Sequence, residues 1–192
     1  MEEKMADSNI TKNALAASMK KLMEEKPFSK ISVGDICEDC GMNRKSFYYH
    51  FQDKYDLVNW IFYVNFVEKM DWNAFGNDWE MLRALCRYFY GERRFYQNAL
   101  AVEGQNSFRE YFFGMLQPVL LLLIQNVLEE GEKKDFYASF LSDGFLVSLI
   151  RWLREGTKIG PDEFVNDLHE IAVGLAYKVV AEEEQARSVS PD

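Results

Sequence analysis

Apolar residues recur at helical spacing along almost the whole chain of 192 residues, and no segment shows the strict alternation of a β-strand. Turn-forming residues are sparse, with 4 Pro and 11 Gly, so the periodic segments are long. The pattern predicts an all-α fold. Its first helix is predicted from a cap at Thr11 to about Glu25, its second begins after Ser32 and ends at Gly41, and its third begins at Asn43.

The pattern continues through a helix from Lys54 to about Met70 and breaks at the turn sequence of residues 76–78. Further helices are predicted over residues 79–90, 95–100, 107–130 with a bend at Pro118, 135–156, and from 160 onward. We therefore predict three regions. Residues 8–54 form a small helical domain, residues 55–184 form a helical bundle, and the acidic residues 185–192 are expected to be disordered.

Charge is divided unevenly between these regions. The first 60 residues hold nine basic and ten acidic side chains, whereas the remaining residues hold thirteen basic and twenty-one acidic ones, for a total of −9. No apolar run approaches the length of a membrane span, and the N-terminus is polar and acidic, unlike a signal peptide. These features predict a cytoplasmic protein with no membrane contact.

Two cysteines three residues apart, Cys37 and Cys40, raise the question of a metal or redox site. They recur with Val33 and Ile36 at helical spacing, so both fall on the stripe that faces the core. Structural zinc needs four ligands, and the spacing here supplies no second pair. Thioredoxin-like chemistry needs a βαβ context, which the pattern does not predict. We interpret both cysteines as packing residues and expect neither a metal nor a cofactor.

The third predicted helix places Phe47 and Phe51 on one face and basic or hydroxyl-bearing side chains on the other. Together with the preceding helix and its Gly-containing turn, this is the layout of a helix-turn-helix, whose second helix enters the DNA major groove. Arg44 and Lys45 suit guanine edges. Taken singly, each of these side chains would equally fit an ordinary solvated surface.

The run SVGDICEDCGMNRKSFYYHFQDKYDL resembles the N-terminal DNA-binding domain of the TetR family of transcriptional regulators. The resemblance implies a TetR-like fold of about nine helices, in which a homodimer binds double-stranded DNA at a palindromic operator. It implies base-reading roles for Arg44, Lys45 and Tyr49. The implied phosphate-binding residues are Thr11, Ser32, Ser46, Tyr48, His50 and Lys54.

The bundle region is rich in large apolar side chains, which suit either an effector cavity or an ordinary core. Candidates for an effector pocket are Tyr63, Phe66, Phe89, Phe112, Phe113 and Met115. The last two helices carry apolar faces that in TetR-like proteins build a four-helix dimer interface, although monomer core is the alternative. The candidate interface residues are Phe145, Leu149, Trp152, Phe164, Leu168 and Ile171.

The segments KYDLVNWIFYVNF and FLSDGFLVSLIRWLREG resemble more narrowly the TetR subgroup of dihydroxyacetone-kinase operon regulators. That resemblance implies a signal received through a protein partner instead of a small molecule, and activation instead of repression. Sequence motifs for nucleotide binding or for a nucleophilic serine are absent, so an enzyme is not expected. A TetR-shaped adaptor without its own DNA binding remains the alternative to a DNA-binding regulator.

Overall fold

The computed structural model describes residues 2–71, 78–124 and 134–189, and within these ranges the chain forms nine α-helices and no strand. The first helix, α1, spans Glu2–Glu25. Thr11 therefore lies inside α1, and the prediction that Thr11 caps its start was wrong. The residues before Thr11 include neither Pro nor Gly, so nothing stops the helix from extending toward the N-terminus.

Helices α2 (Val33–Asp39) and α3 (Arg44–His50) confirm the predicted helix pair. Ser32 and Asp35 form the predicted capping box at the start of α2. The backbone N–H of Ser32, with help from Lys26, lowers the pKa of Asp35 to about 2. Gly41 has a φ of +68°, which only glycine adopts readily, and it turns the chain from α2 into α3.

Helix α4 (Lys54–Phe62) leads away from the helix pair and continues as a π-helical segment, Tyr63–Val67. Its wider turn is closed by the N–H of Glu68, which donates to the carbonyl of Tyr63 at 2.8 Å. The predicted connecting helix is therefore helical to Val67, with a π-helical end that periodicity did not predict. The predicted break at residues 76–78 lies largely outside the described residues.

The C-terminal part contains α5 (Asp78–Gly91), α6 (Arg93–Leu100), α7 (Phe108–Ile124), α8 (Lys134–Arg154) and α9 (Pro161–Val189). Pro118 lies within α7, as expected, and the predicted end of that helix falls outside the described residues. Helix α9 runs on to Val189, into the segment for which disorder was expected. No helix in the described ranges is long and apolar enough to cross a membrane.

A cluster of aromatic side chains forms the centre of the C-terminal part. Phe62 of α4 lies within 6.2 Å, between ring centroids, of six other rings contributed by the π-helical segment, α5, α6 and α7. These rings belong to Phe66, Tyr88, Phe89, Tyr96, Phe108 and Phe112. Helix α8 packs on α7, and α9 packs on α5.

Two polar contacts join α1 to α6. Lys20 Nζ lies 2.9 Å from Glu92 Oε1, and Asn98 Nδ2 donates to the carbonyl of Met23 at 2.7 Å. The helix pair is thus held to the C-terminal part both through α1 and through α4.

Candidate DNA-binding surface

Helix α3 is anchored by its two phenylalanines. Phe47 and Phe51 are buried, with ring centroids 5.8 Å apart, and Phe51 packs further against Trp60 of α4. Asn43 caps the helix, since its side chain accepts a hydrogen bond from the Ser46 N–H at 2.9 Å. These contacts fix which face of α3 is turned to solvent.

The opposite face of α3 presents Arg44, Lys45, Tyr48 and Tyr49, all exposed. Tyr49 is 77% exposed, an unusual environment for a ring of this size in an otherwise well-packed domain. The surface therefore combines two cations and two phenol groups on one short helix, a composition suited to the polar edges and phosphates of DNA.

The guanidinium of Arg44 extends over the first turn of α2. A Cβ atom built on Gly34 would lie 2.6 Å from Arg44 Nη2 and 3.3 Å from Ser32 Oγ, so these two groups flank the same small space. The absence of a side chain at Gly34 is what allows the guanidinium to lie there. Two sequence-predicted DNA-binding residues from different helices are thereby brought together.

The cations of the N-terminal part separate into two groups. Lys20, Lys21 and Lys26 are paired with carboxylates of Glu92, Asp39 and Asp35 respectively. Among the side chains that the structure describes, a second group forms no ion pair; its members are Lys12, Lys30, Arg44 and Lys45. The near-neutral charge of this part therefore leaves unpaired positive charge on and beside α3.

Lys54 is used partly within the fold. Its ammonium donates to the carbonyls of Phe28 and Ile31 at 2.9 and 2.8 Å, and it lies 4.4 Å from the Phe28 ring centroid. Burial lowers its pKa. An ammonium has three N–H groups, so one remains for a phosphate. The bonded carbonyl of Ile31 directly precedes Ser32, which places both predicted phosphate-binding residues at one edge of the helix pair.

His50 ends α3 and is half-buried, with its ring edge-on to that of Tyr49 at 4.9 Å. Burial, with the positive charge of Lys12, lowers the pKa of His50. The imidazole is consequently neutral near pH 7 and offers one N–H donor.

The two remaining phosphate candidates are less free. Ser46 is half-buried, and its hydroxyl donates to Asn43 Oδ1 at 3.2 Å, so it supports the cap. Thr11 is half-buried on α1, beside Lys12 in the chain.

The cysteines behave as packing residues. Cys37 is buried and Cys40 is half-buried, with its thiol donating to the carbonyl of Ile36 at 3.1 Å. Burial raises the pKa of both thiols, which disfavours the thiolate that metal binding and redox chemistry require.

The six effector-pocket candidates have different surroundings in the described part of the chain. Phe66, Phe89 and Phe112 are buried in the aromatic cluster and contact neighbouring rings, whereas Tyr63 is 46% exposed. Phe113 lines an open groove between α7 and α8 with a volume of about 450 Å³. Met115 is half-buried.

Four of the six dimer candidates are buried inside the chain. Phe145, Leu149, Trp152 and Phe164 pack in the core, and the last two stack with centroids 4.8 Å apart. In the single chain they leave little surface for contact with a second copy. Leu168 is half-buried and Ile171 is 61% exposed. Other apolar side chains of α8 and α9 are exposed instead, namely Phe136, Phe140, Leu141, Val147, Val173 and Tyr177.

Sequence reasoning missed two features of this surface. The contact between Arg44 and Gly34 joins separate helices, so no local pattern signals it. The position of Lys12 beside Phe51 and Trp60 likewise joins separate helices, so no local pattern signals it.

Comparisons with known proteins agree with this architecture. The family model described as bacterial regulatory proteins, tetR family, matches residues 15–61, and the model described as a transcriptional regulator C-terminal region matches residues 77–174. The chain is 29% identical over 143 residues to the HTH-type dhaKLM operon transcriptional activator DhaS of Lactococcus lactis subsp. lactis (strain IL1403), covering 74% of each chain.

Two solved structures share the fold. One is the dihydroxyacetone kinase operon activator DhaS, with a TM-score of 0.62 at 21% identity over 88% of this chain and 97% of that chain. The other is a TetR transcriptional regulator from Streptococcus agalactiae 2603V, with a TM-score of 0.64 at 20% identity over 86% of this chain and 94% of that chain. The matched family consists of regulators and not of enzymes. The chain belongs to the TetR family of transcriptional regulators.

Proposed function

We propose that the chain is a sequence-specific DNA-binding regulator that binds a palindromic operator as a homodimer in the cytoplasm. The observation that carries this proposal is the exposed face of α3, where Arg44 and Lys45 have no ion-pair partner among the described side chains and Tyr49 is largely exposed. An adaptor that does not bind DNA would have no use for unpaired cations and an exposed ring on one rigid helix.

In this proposal Arg44, Lys45 and Tyr49 contact base edges in the major groove. The phosphate backbone on either side is held by two groups of side chains. Ser32 and the free N–H of Lys54 lie toward the start of α2, and His50 lies at the end of α3. Tyr48, Ser46 and Thr11 complete the phosphate-binding set. Contacts on both sides of α3 would fix its depth and angle in the groove.

We further propose that dimerisation uses the exposed apolar side chains of α8 and α9 instead of the buried ones. Val147 and Ile171 lie near the middle of these helices and are 45% and 61% exposed. A two-fold dimer presents two α3 helices, as a palindromic operator requires.

Control by an effector or a partner protein would act through the contacts between the two parts of the chain. Phe62 of α4 sits in the aromatic cluster, and Glu92 and Asn98 of α6 hold α1. A ligand that moves α6 or the cluster would therefore tilt α4 and change the spacing of the two α3 helices.

The filled aromatic cluster favours a partner that binds at the helix surface over a small molecule that binds in the core. Phe136 and Phe140 at the start of α8 stack on each other and are 67% and 64% exposed, which provides an apolar contact at that surface. The Lactococcus relative is named as an activator of the dhaKLM operon. We propose that this chain is likewise a transcriptional activator.

The test is selection of genomic DNA fragments by the purified protein at two salt concentrations, repeated with the Lys45→Ala, Tyr49→Ala variant. We expect wild-type protein to enrich a palindrome with salt-sensitive affinity, and the double variant to lose its sequence preference. A matched control is Lys158→Ala, Tyr63→Ala, which removes the same residue types from exposed positions outside α3. No enrichment by folded wild-type protein would support the adaptor function instead, and equal enrichment by wild-type and the α3 variant would exclude α3 as the base-reading helix.

A further inference from the structure

Lys12 occupies a defined position between three helices of the N-terminal part. Its Nζ lies 5.6 Å from the ring centroid of Trp60 on α4 and 6.0 Å from that of Phe51 at the end of α3. A cation over aromatic rings is held by the negative faces of those rings. The long side chain is therefore already partly ordered, which reduces the entropy that a further contact would cost.

Lys12 differs from the other lysines of α1 that the structure describes in full. Lys20 and Lys21 are paired with the carboxylates of Glu92 and Asp39. Lys12 has no carboxylate within ion-pair distance among the described side chains, although it is half-buried. The rings hold the charge in place without neutralising it.

Lys12 and His50 both lie beside the ring of Phe51: Lys12 Nζ is 6.0 Å from its centroid, and the centroid of the His50 ring is 6.4 Å from it. Burial, with the positive charge of Lys12, lowers the pKa of His50. His50 in turn packs against Tyr49, which is 77% exposed on the α3 face. A cation and an N–H donor thus stand together at the end of the helix that faces DNA, with no acidic group paired to either among the described side chains.

We propose that Lys12 binds the DNA backbone, and that its ammonium and the His50 imidazole hold one phosphodiester group beyond the C-terminal end of α3. This inference rests on the proposed DNA-binding function. It adds a cation from α1 to a phosphate-binding set in which Thr11 is otherwise the one member from that helix. A phosphate held at this end would complement the contacts of Ser32 and Lys54 at the other edge.

The experiment compares wild-type protein with Lys12→Met on the selected operator, measuring Kd from about 50 to about 200 mM KCl. Each phosphate contact contributes about 0.9 to the slope of log K against log salt, so a dimer of Lys12→Met should lose about 1.8 from that slope. Lys12→Arg should retain the wild-type slope. Lys21→Met removes one positive charge from the same helix and should also retain it.

Operator duplexes carrying a single uncharged methylphosphonate identify the phosphate directly. Neutralising one position should weaken wild-type binding much more than Lys12→Met binding, because the variant has already lost the ammonium contact and keeps only that of His50. Circular dichroism at each salt concentration gives the folded fraction, by which every Kd is corrected. A wild-type slope for folded Lys12→Met, or equal methylphosphonate profiles, would overturn the inference while leaving DNA binding intact. Failure of wild-type protein to bind any DNA would overturn both.

Discussion

On the proposed DNA-binding surface, the position of Arg44 depends on the missing side chain of Gly34. A Cβ atom there would lie 2.6 Å from Arg44 Nη2, the far end of a flexible side chain that can move away. Alanine also favours the helical conformation over glycine by about 1 kcal/mol. Stability and DNA binding should therefore respond differently to one methyl group.

We predict that Gly34→Ala unfolds at the same or a higher temperature than wild-type, yet binds the operator more weakly, by up to roughly tenfold. The expected loss follows from displacing Arg44, since a good arginine contact to guanine is worth on the order of 1–3 kcal/mol. Thermal unfolding and operator titration measure the two effects. Gly114→Ala on α7, where an added Cβ meets nothing within 4 Å, is the control and should leave binding unchanged. Wild-type affinity in Gly34→Ala would show that the position of Arg44 over α2 is irrelevant.

At the scale of the element, α3 is only seven residues long and depends on its cap and its anchors more than on its own propensity. Asn43 Oδ1 accepts from both the N–H and the hydroxyl of Ser46.

We predict that Asn43→Ala destabilises the protein by about 1 kcal/mol, as loss of a helix cap usually does. Urea unfolding measures the free energy. Asn43→Ser keeps a capping oxygen, so its free energy of unfolding should stay within a few tenths of a kcal/mol of the wild-type value. Equal losses of stability in both variants would show that the cap is not the cause.

Helix ends with local chemical signals could be predicted from the sequence, and those without such signals could not. Ser32 with Asp35, Asn43 and Gly41 each act on backbone groups a few residues away, and the structure confirms all three. The start of α1 was misplaced because a threonine suited to a cap also fits within a helix when no breaker precedes it. The π-helical turn after Phe62 has no residue pattern of its own.

The site residues also separate into those that local sequence signals could predict and those that they could not. The exposed face of α3 could be predicted because two phenylalanines fix its orientation. The contacts that Arg44 and Lys54 make could not be predicted, because the contacted residues lie on other elements of the fold. On α8 and α9, periodicity identified apolar residues but could not distinguish a face buried in the chain from one left for a second copy. Phe145 and Leu149 proved to be core, whereas Val147 is exposed.

At the scale of the whole molecule, α8 and α9 each carry exposed apolar side chains. Val147 is 45% exposed and Ile171 is 61% exposed, so a charge at either position costs little in the monomer. We predict that Val147→Glu, Ile171→Glu folds with a near wild-type unfolding temperature at low protein concentration but sediments as a monomer. The same charges placed inside a dimer interface would be buried without partners.

Loss of the dimer should weaken operator binding by roughly 100-fold or more, because each α3 helix would then bind its half-site alone. Analytical ultracentrifugation and operator titration give the two quantities on one preparation. Ile10→Glu, at a 65% exposed position on α1, is the matched control and should remain dimeric. If the double variant stays dimeric and binds normally, the dimer interface lies away from the centre of α8 and α9. Val147 and Ile171 would then be free to contact a partner protein.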